Sequence, residues 1–294
     1  MKNIILVFVL LIFSGANHGS EQTNNYKVFI EFKDLNKIKA YQILDVRDKR
    51  KFLDAHLPNS IWIDVSSFDV RNSSIPSMIG DPGDILDKLR KKGVRDDKRV
   101  LIVGETIRSF GEDGRLFWIL NQFTDLEVQI LNGGFSAIQS FDKKNKDLDK
   151  STPTSVRIDD QIPLVQLKKT IQLFKFEDLH REDILKIDVR TLPEFMGATP
   201  FGSRRGGHIP EAIWLPWHSF FHDDGRVKKR PTPGILEKLG NKQPVLYCTA
   251  GYRSALVYAA LLNWGLDPIN YDGSWYEYAV RTSNSSSESD QDQR

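Results

Sequence analysis

The sequence predicts an α/β protein of two tandem domains, each a mainly parallel sheet with helices on both faces. Three observations predict it: a length suited to two domains, a pattern that occurs twice, and short apolar runs alternating with amphipathic stretches. At 294 residues the chain exceeds one typical domain and suits two. With 40% apolar and 27% charged residues it can bury sizeable cores. The net charge is +2 and no basic stripe stands out, so nucleic acid is excluded as a partner class.

The duplication is direct. Tyr41-Gln42-Ile43-Leu44-Asp45-Val46-Arg47 returns as Ile184-Leu185-Lys186-Ile187-Asp188-Val189-Arg190, with Phe52 and Phe195 each five positions after the arginine. His56-Leu57-Pro58-Asn59-Ser60-Ile61-Trp62 returns as His208-Ile209-Pro210-Glu211-Ala212-Ile213-Trp214, after a gain of nine residues between Phe195 and His208. Residues 100–104 answer 244–248, and Asn132-Gly133 answers Asp272-Gly273. A spacing near 140 residues is too long for a solenoid unit, whose periods run about 20–50 residues, so it reads as duplication of a whole domain.

Within each copy, residues 43–46, 100–103 and 128–131, then 185–189 and 245–247, are strand-like. Residues 85–92 closed by Gly93, 116–123, and 254–264 closed by Gly265 have helical periods. Strand–helix alternation gives a mainly parallel sheet, which binds ligands beyond the carboxyl ends of its strands.

The remaining segments are punctuation. Lys2, the apolar run 4–13 and Ser14-Gly15-Ala16 predict a signal peptide and short spacer over 1–20. Ten apolar residues reach only about 15 Å as a helix, half of a bilayer core, so no anchor remains after processing and the mature protein is expected in the periplasm or secreted. The first domain is placed at 21–145, a polar linker broken by Pro153 at 146–165, the second domain at 166–282, and a disordered Ser-rich tail at 283–294. A monomer is expected.

One cysteine, Cys248, cannot form an internal disulfide. A lone cysteine is ordinarily a small buried hydrophobe. Its surroundings argue for chemistry. It ends a strand and opens Cys248-Thr249-Ala250-Gly251-Tyr252-Arg253-Ser254, which leads into a helix. Such a turn sets the sulfur at the sheet's carboxyl edge, where loop N–H groups and a helix N-terminus favour negative charge. Gly251 lets the loop curl, and Arg253 adds a full positive charge. These conditions lower a thiol pKa from about 8.5 to about 3.5–7.5, and the thiolate is the nucleophile.

Read as an ordered set, these segments resemble the rhodanese-type sulfurtransferases. The loop resembles that family's Cys-x-x-Gly-x-Arg-Ser; Asp188-Val189-Arg190 with Glu194-Phe195, residues 207–212, and residues 131–135 resemble its other markers. The resemblance covers residues 28–280 and implies two rhodanese-like domains, the first catalytically silent, with Gly104 in the cysteine's place. It further implies transfer of sulfane sulfur from a donor such as thiosulfate, through a persulfide on Cys248, to an acceptor such as cyanide or a thiol, including a protein thiol. Residues 249–254 (Thr249, Ala250, Gly251, Tyr252, Arg253, Ser254) would cradle the persulfide anion. Arg190 would bind the donor, as would Arg205 beside Arg204 in the nine-residue insertion, the alternative for the latter pair being a solvated surface. Asp45 and Asp188 are expected to fix loops, and His56 and His208 to be structural.

Mercaptopyruvate is less favoured, because Ala250 stands where that branch has serine and Ser66 falls near the place of its aspartate. A cysteine phosphatase is less favoured as well, since Arg253 lies five residues after the cysteine and not six. A non-catalytic persulfide carrier or partner-binding module stays open. No cofactor or metal is expected: the six histidines are scattered, and Gly111-Glu112-Asp113-Gly114 lacks the spacing and lysine of a phosphate loop. That segment reads instead as the silent domain's replacement for the active-site loop, with the silent domain forming one wall of the cleft.

Overall fold

The computed structural model describes residues 27–35, 40–70, 73–141, 163–231 and 233–289. The first half runs β1 (Phe29–Ile30), β2 (Tyr41–Asp45), α1 (Lys49–Asp54), β3 (Ile61–Trp62), α2 (Pro82–Lys91), β4 (Arg99–Val103), α3 (Glu112–Phe123), β5 (Val128–Leu131) and α4 (Gly134–Phe141). The second runs β6 (Ile184–Asp188), α5 (Leu192–Phe195), β7 (Ile213–Trp214), α6 (Pro233–Leu239), β8 (Gln243–Tyr247), α7 (Tyr252–Asn263), β9 (Ile269–Asn270) and α8 (Ser274–Ser289). The sheets are ordered β1-β5-β4-β2-β3 and β7-β6-β8-β9, parallel throughout. Each strand of the second sheet has a counterpart in the same place in the first, so the repeat in sequence is a repeat in topology. Asp45 pairs with Val103 as Asp188 pairs with Tyr247, which sets the equivalent loops at equivalent sheet edges.

Successive strand residues face opposite sides of a sheet. Accordingly Leu44, Ile102 and Leu246 enter one shared core, whereas Ile43 and Leu101 join a cluster with Phe135 and Ile138 of α4, and Val245 and Tyr247 join one with Trp275 and Ala279 of α8. Helices thus cover both faces of each sheet. The shared core is built on α3 and α7, which lie against each other. Gly114 permits their approach: a Cβ there would sit 2.2 Å from Leu256 Cα. Residues 253–261 of α7 are all buried, hence its lack of an amphipathic stripe.

Several expectations shift. The helices begin earlier than their apolar periods, α3 at Glu112 and α7 at Tyr252, because a glycine in left-handed conformation precedes each (Gly111, φ 85°; Gly251, φ 78°). The two-residue strands are too short to show a period. The end of the expected linker belongs to the first half: Val165 is buried, its N–H donates to Val94 O, and Pro163 O accepts from Asp96 N. The Lys168 N–H likewise donates to Phe123 O, so this strip is held by backbone groups that would otherwise lack partners. The tail expectation is corrected over 283–289, where α8 continues; a helix already nucleated by packing propagates at little cost into serine-rich sequence. The expected signal segment, most of the linker and residues 290–294 lie outside the described residues. Among the described residues no helix is long and apolar enough to cross a membrane.

Candidate active site at the Cys248 loop

Cys248 follows β8 at the carboxyl edge of its sheet, and the loop curls from there into α7. Gly251 takes the left-handed conformation, and a Cβ would lie 2.8 Å from Asp272 O, so both backbone angle and space call for glycine. The start of α8 fastens the loop from outside: Trp275 N donates to Cys248 O at 3.0 Å and Tyr276 N to Thr249 O at 3.1 Å. The Ser274 hydroxyl accepts from Cys248 N at 3.2 Å and donates to Tyr271 O at 2.9 Å.

Cys248 is 1% exposed but is among the residues lining a cleft of about 730 Å³ between the two domains. Burial pushes its pKa up. Opposing this are the Arg253 charge, the N–H and hydroxyl of Ser254 and the N–H of Ala250, and together they bring the thiol below its ordinary value. The Ser254 hydroxyl is 3.6 Å from Sγ. Two loop amides, those of Ala250 and Ser254, thus face the sulfur.

Arg253 is held by Glu194. Its guanidinium forks onto the carboxylate at 2.7 and 2.8 Å and also reaches Thr249 Oγ1 at 2.8 Å, which itself donates to Glu194 at 2.7 Å. Burial raises the Glu194 pKa, but the hydrogen bonds and charge of Arg253, with Thr191 and Thr249, outweigh it and bring the carboxyl to about 2. The sequence reading missed this residue's role. Its signal is the Thr191-x-x-Glu194 capping box, in which Glu194 takes the Thr191 N–H at 3.1 Å.

A second ionic group ties the loop to the first domain. Arg115 of α3, fully buried, pairs with Asp272 and lies 3.3 Å from Asp69, which accepts from the Tyr252 hydroxyl at 2.8 Å. The separation between Arg115 and Asp272 in sequence is 157 residues, beyond any local signal.

Two sequence-predicted site residues are not at the cleft. Arg190 is 1% exposed and closes on Asp188 at 2.6 Å, with its other contact on Gly207 O at 2.7 Å. Strand residues two apart share a face, so this arginine folds back onto its own strand's aspartate. Arg205 lies outside, its guanidinium over the Trp275 ring at 5.5 Å and on the Thr282 hydroxyl at 2.5 Å. Neither meets a donor at Cys248. The loop expectations for the aspartates and histidines hold: Asp45 takes Arg47 N at 3.0 Å, Asp188 takes Arg190 N at 2.9 Å, and His56 and His208 stack on Phe52 and Phe195 while bonding their carbonyls.

The first half has no room for a cysteine's side chain at Gly104: a Cβ would meet the Asp113 side chain at 2.6–2.7 Å. Asp113 stands one residue after Gly111-Glu112, where Arg253 stands after Gly251-Tyr252, so the charge beside the loop is inverted. The first domain does supply one wall of the cleft, through Trp62, Asp64, Ser66 and Phe110 among others. Among the described residues no cluster of metal-ligating side chains occurs. A smaller cavity of about 420 Å³ behind α7, lined by Trp118, Tyr258 and Asn270, holds no nucleophile.

The chain matches the family described as Rhodanese-like domain twice, over residues 29–141 and 176–280. It is 28% identical over 242 residues to a thiosulfate sulfurtransferase of Corynebacterium glutamicum, covering 76% of each chain. It is 25% identical to the 3-mercaptopyruvate sulfurtransferase of Escherichia coli, over 79% of this chain and 83% of that one. Its fold matches the 3-mercaptopyruvate sulfurtransferase from Leishmania major with a TM-score of 0.70 and 22% identity, covering 88% and 75% of the two chains.

Proposed function

The chain belongs to the rhodanese-like domain family, in tandem form, and from that premise we propose that it is a sulfurtransferase working through a persulfide on Cys248. The observation that carries the proposal is the sulfur itself, set on the cleft lining with the Ala250 and Ser254 amides directed at it and a pKa below the ordinary thiol value. The Cys248 thiolate attacks the sulfane sulfur of a donor such as thiosulfate; an Sγ–S bond forms as the donor's S–S bond breaks, and its electron pair leaves with sulfite. A thiophilic acceptor, cyanide or a thiol, then attacks the outer sulfur and returns Cys248 as thiolate. Both anions occupy the same amide cradle, so the site need not reorganise between half-reactions.

Arg253 is anchored by Glu194 and Thr249 and also hydrogen-bonds the Cys248 side chain, so its charge bears directly on the reacting sulfur. Ala250 lacks the hydroxyl expected in mercaptopyruvate users, and Ser66, which donates to Asp64 at 2.7 Å, offers a hydroxyl where their aspartate is expected. The proposal extends to an exported monomer, on the strength of the apolar run at 4–13 and the small residues after it; N-terminal sequencing and light scattering of the recovered protein check this.

Intact-mass measurement after incubation with sulfane donors tests the chemistry. The expected result is a gain of one sulfur, lost in Cys248→Ala. A chain that gains none from any donor is a binding module.

A further inference from the structure

Beyond the amide cradle at the sulfur, a cleft that gathers small anions needs cations in excess of carboxylates, and this one has the reverse. Arg47, Lys49, Lys51 and Arg253 line it. Arg47 is closed on Asp45 at 2.7 Å, Lys51 on Glu105 at 2.7 Å, and Arg253 on Glu194 at 2.7 Å. Only Lys49, 5.3 Å from the Trp62 ring centroid, has no carboxylate partner among the described residues lining the cleft; Lys92 lies 5.4 Å from that ring but is not part of the lining. Arg190 and Arg205, which a donor anion would have used, are engaged elsewhere.

Carboxylates outnumber these cations. Asp48, Asp64, Glu105 and Glu112 line the same cleft, and so does Asp69, which Arg115 and Tyr252 share. With Cys248 as thiolate the lining is net negative. Five aromatic side chains stand among the other lining residues. Phe110 of the silent domain and Phe201 of the nine-residue insertion meet edge to face at 6.1 Å, although they are 57% and 45% exposed. Trp62, Tyr252 and Tyr276 continue that surface inward.

We infer that the sulfur carrier served by this cleft is an organic thiol and its persulfide, neutral or cationic and with an apolar or aromatic body, in preference to small anions such as thiosulfate or mercaptopyruvate. The inference rests on the persulfide reading and narrows its substrate. Acidic, low-dielectric walls focus a field that depletes anions and concentrates cations by about ten-fold or more at low ionic strength, and the aromatic walls remove the carrier's apolar body from water. In the transfer, the carrier's thiolate attacks the outer sulfur of the Cys248 persulfide. A new S–S bond forms as the Sγ–S bond breaks, its electron pair returns to Sγ, and the carrier leaves as a persulfide with no oxidant consumed.

The test uses the full chain and three methanethiosulfonate reagents of matched reactivity: 2-aminoethyl (cationic), methyl (neutral) and 2-sulfonatoethyl (anionic). Rates at Cys248 are followed by intact mass, and each is divided by the reagent's rate with free 2-mercaptoethanol. The expected normalised cation-to-anion ratio is about ten at low salt, shrinking toward one at about 1 M salt, where the screening length is near 3 Å. Glu105→Gln, which releases Lys51, lowers the ratio several-fold. A normalised ratio of one or less at low salt overturns the inference. That outcome is distinct from failure of the persulfide chemistry, which shows as no sulfur gained from any donor.

Discussion

Replacing Arg253 by methionine removes the charge that most favours the Cys248 thiolate. An opposite charge close to an ionisable group is worth about 1–3 pKa units, so the thiol's titration midpoint is expected to rise. Each unit of rise cuts the thiolate about ten-fold on the acid limb, while the more basic thiolate is a better nucleophile by about three-fold at a Brønsted slope near 0.45. The net expectation is an iodoacetamide alkylation rate about three-fold lower per unit on the acid limb and higher than wild type on the alkaline plateau, so that the two pH profiles cross. Alkylation between about pH 5 and 10, read by intact mass, measures this across the thiol's titration range. The substitution also leaves Glu194, 2% exposed, without its partner, and breaking such a pair costs about 3–5 kcal/mol. The Arg253→Met/Glu194→Gln variant separates the effects: stability recovers while the titration midpoint stays high. An unmoved midpoint in both variants would refute the assignment of thiol acidity to Arg253.

Burial raises the Asp113 carboxyl to about 7, well above its unfolded value. Folding therefore favours the protonated form, and this contribution is complete below about pH 4 and lost as pH rises toward 7, up to about 4 kcal/mol by pH 8. Asp113→Asn is expected to flatten that slope, stabilising the chain at pH 8 more than at pH 5 in urea unfolding; equal effects at both would contradict the buried-acid account. Gly114→Ala places a methyl 2.2 Å from Leu256 Cα and 2.4 Å from Leu256 N. Because backbone must move, a loss of about 3 kcal/mol or more and a clear fall in melting temperature are expected, and an unchanged melt would show that the helices part freely.

The two long central strands of each sheet were legible because runs such as Val100-Leu101-Ile102-Val103 are apolar on both faces, as a covered parallel strand must be. The repeat also held a signal that went unread. The first copy keeps Asp45-Val46-Arg47 although Gly104 stands in the cysteine's place, and an arginine retained without the nucleophile points to structure. That is what Arg190 does with Asp188. The Thr191-x-x-Glu194 spacing signals a helix cap, but nothing local marks Glu194 as the partner of Arg253, because its carboxylate serves both at once. Arg115 and Asp272 meet across the domain boundary, where only tertiary packing decides.

Helix α7 is enclosed along nearly its whole length, and half of its enclosure is α3. Chains emerge from the ribosome N-terminus first, and domains tend to fold as they emerge. The half without a nucleophile is therefore complete before the other is synthesised, and it presents α3 as a template onto which the apolar stretch Ala255-Leu256-Val257-Tyr258-Ala259-Ala260-Leu261 can close at once. A gene order reversed by circular permutation would deliver that stretch into water with nothing to receive it. The first copy acts, in this sense, as an internal chaperone for its sibling.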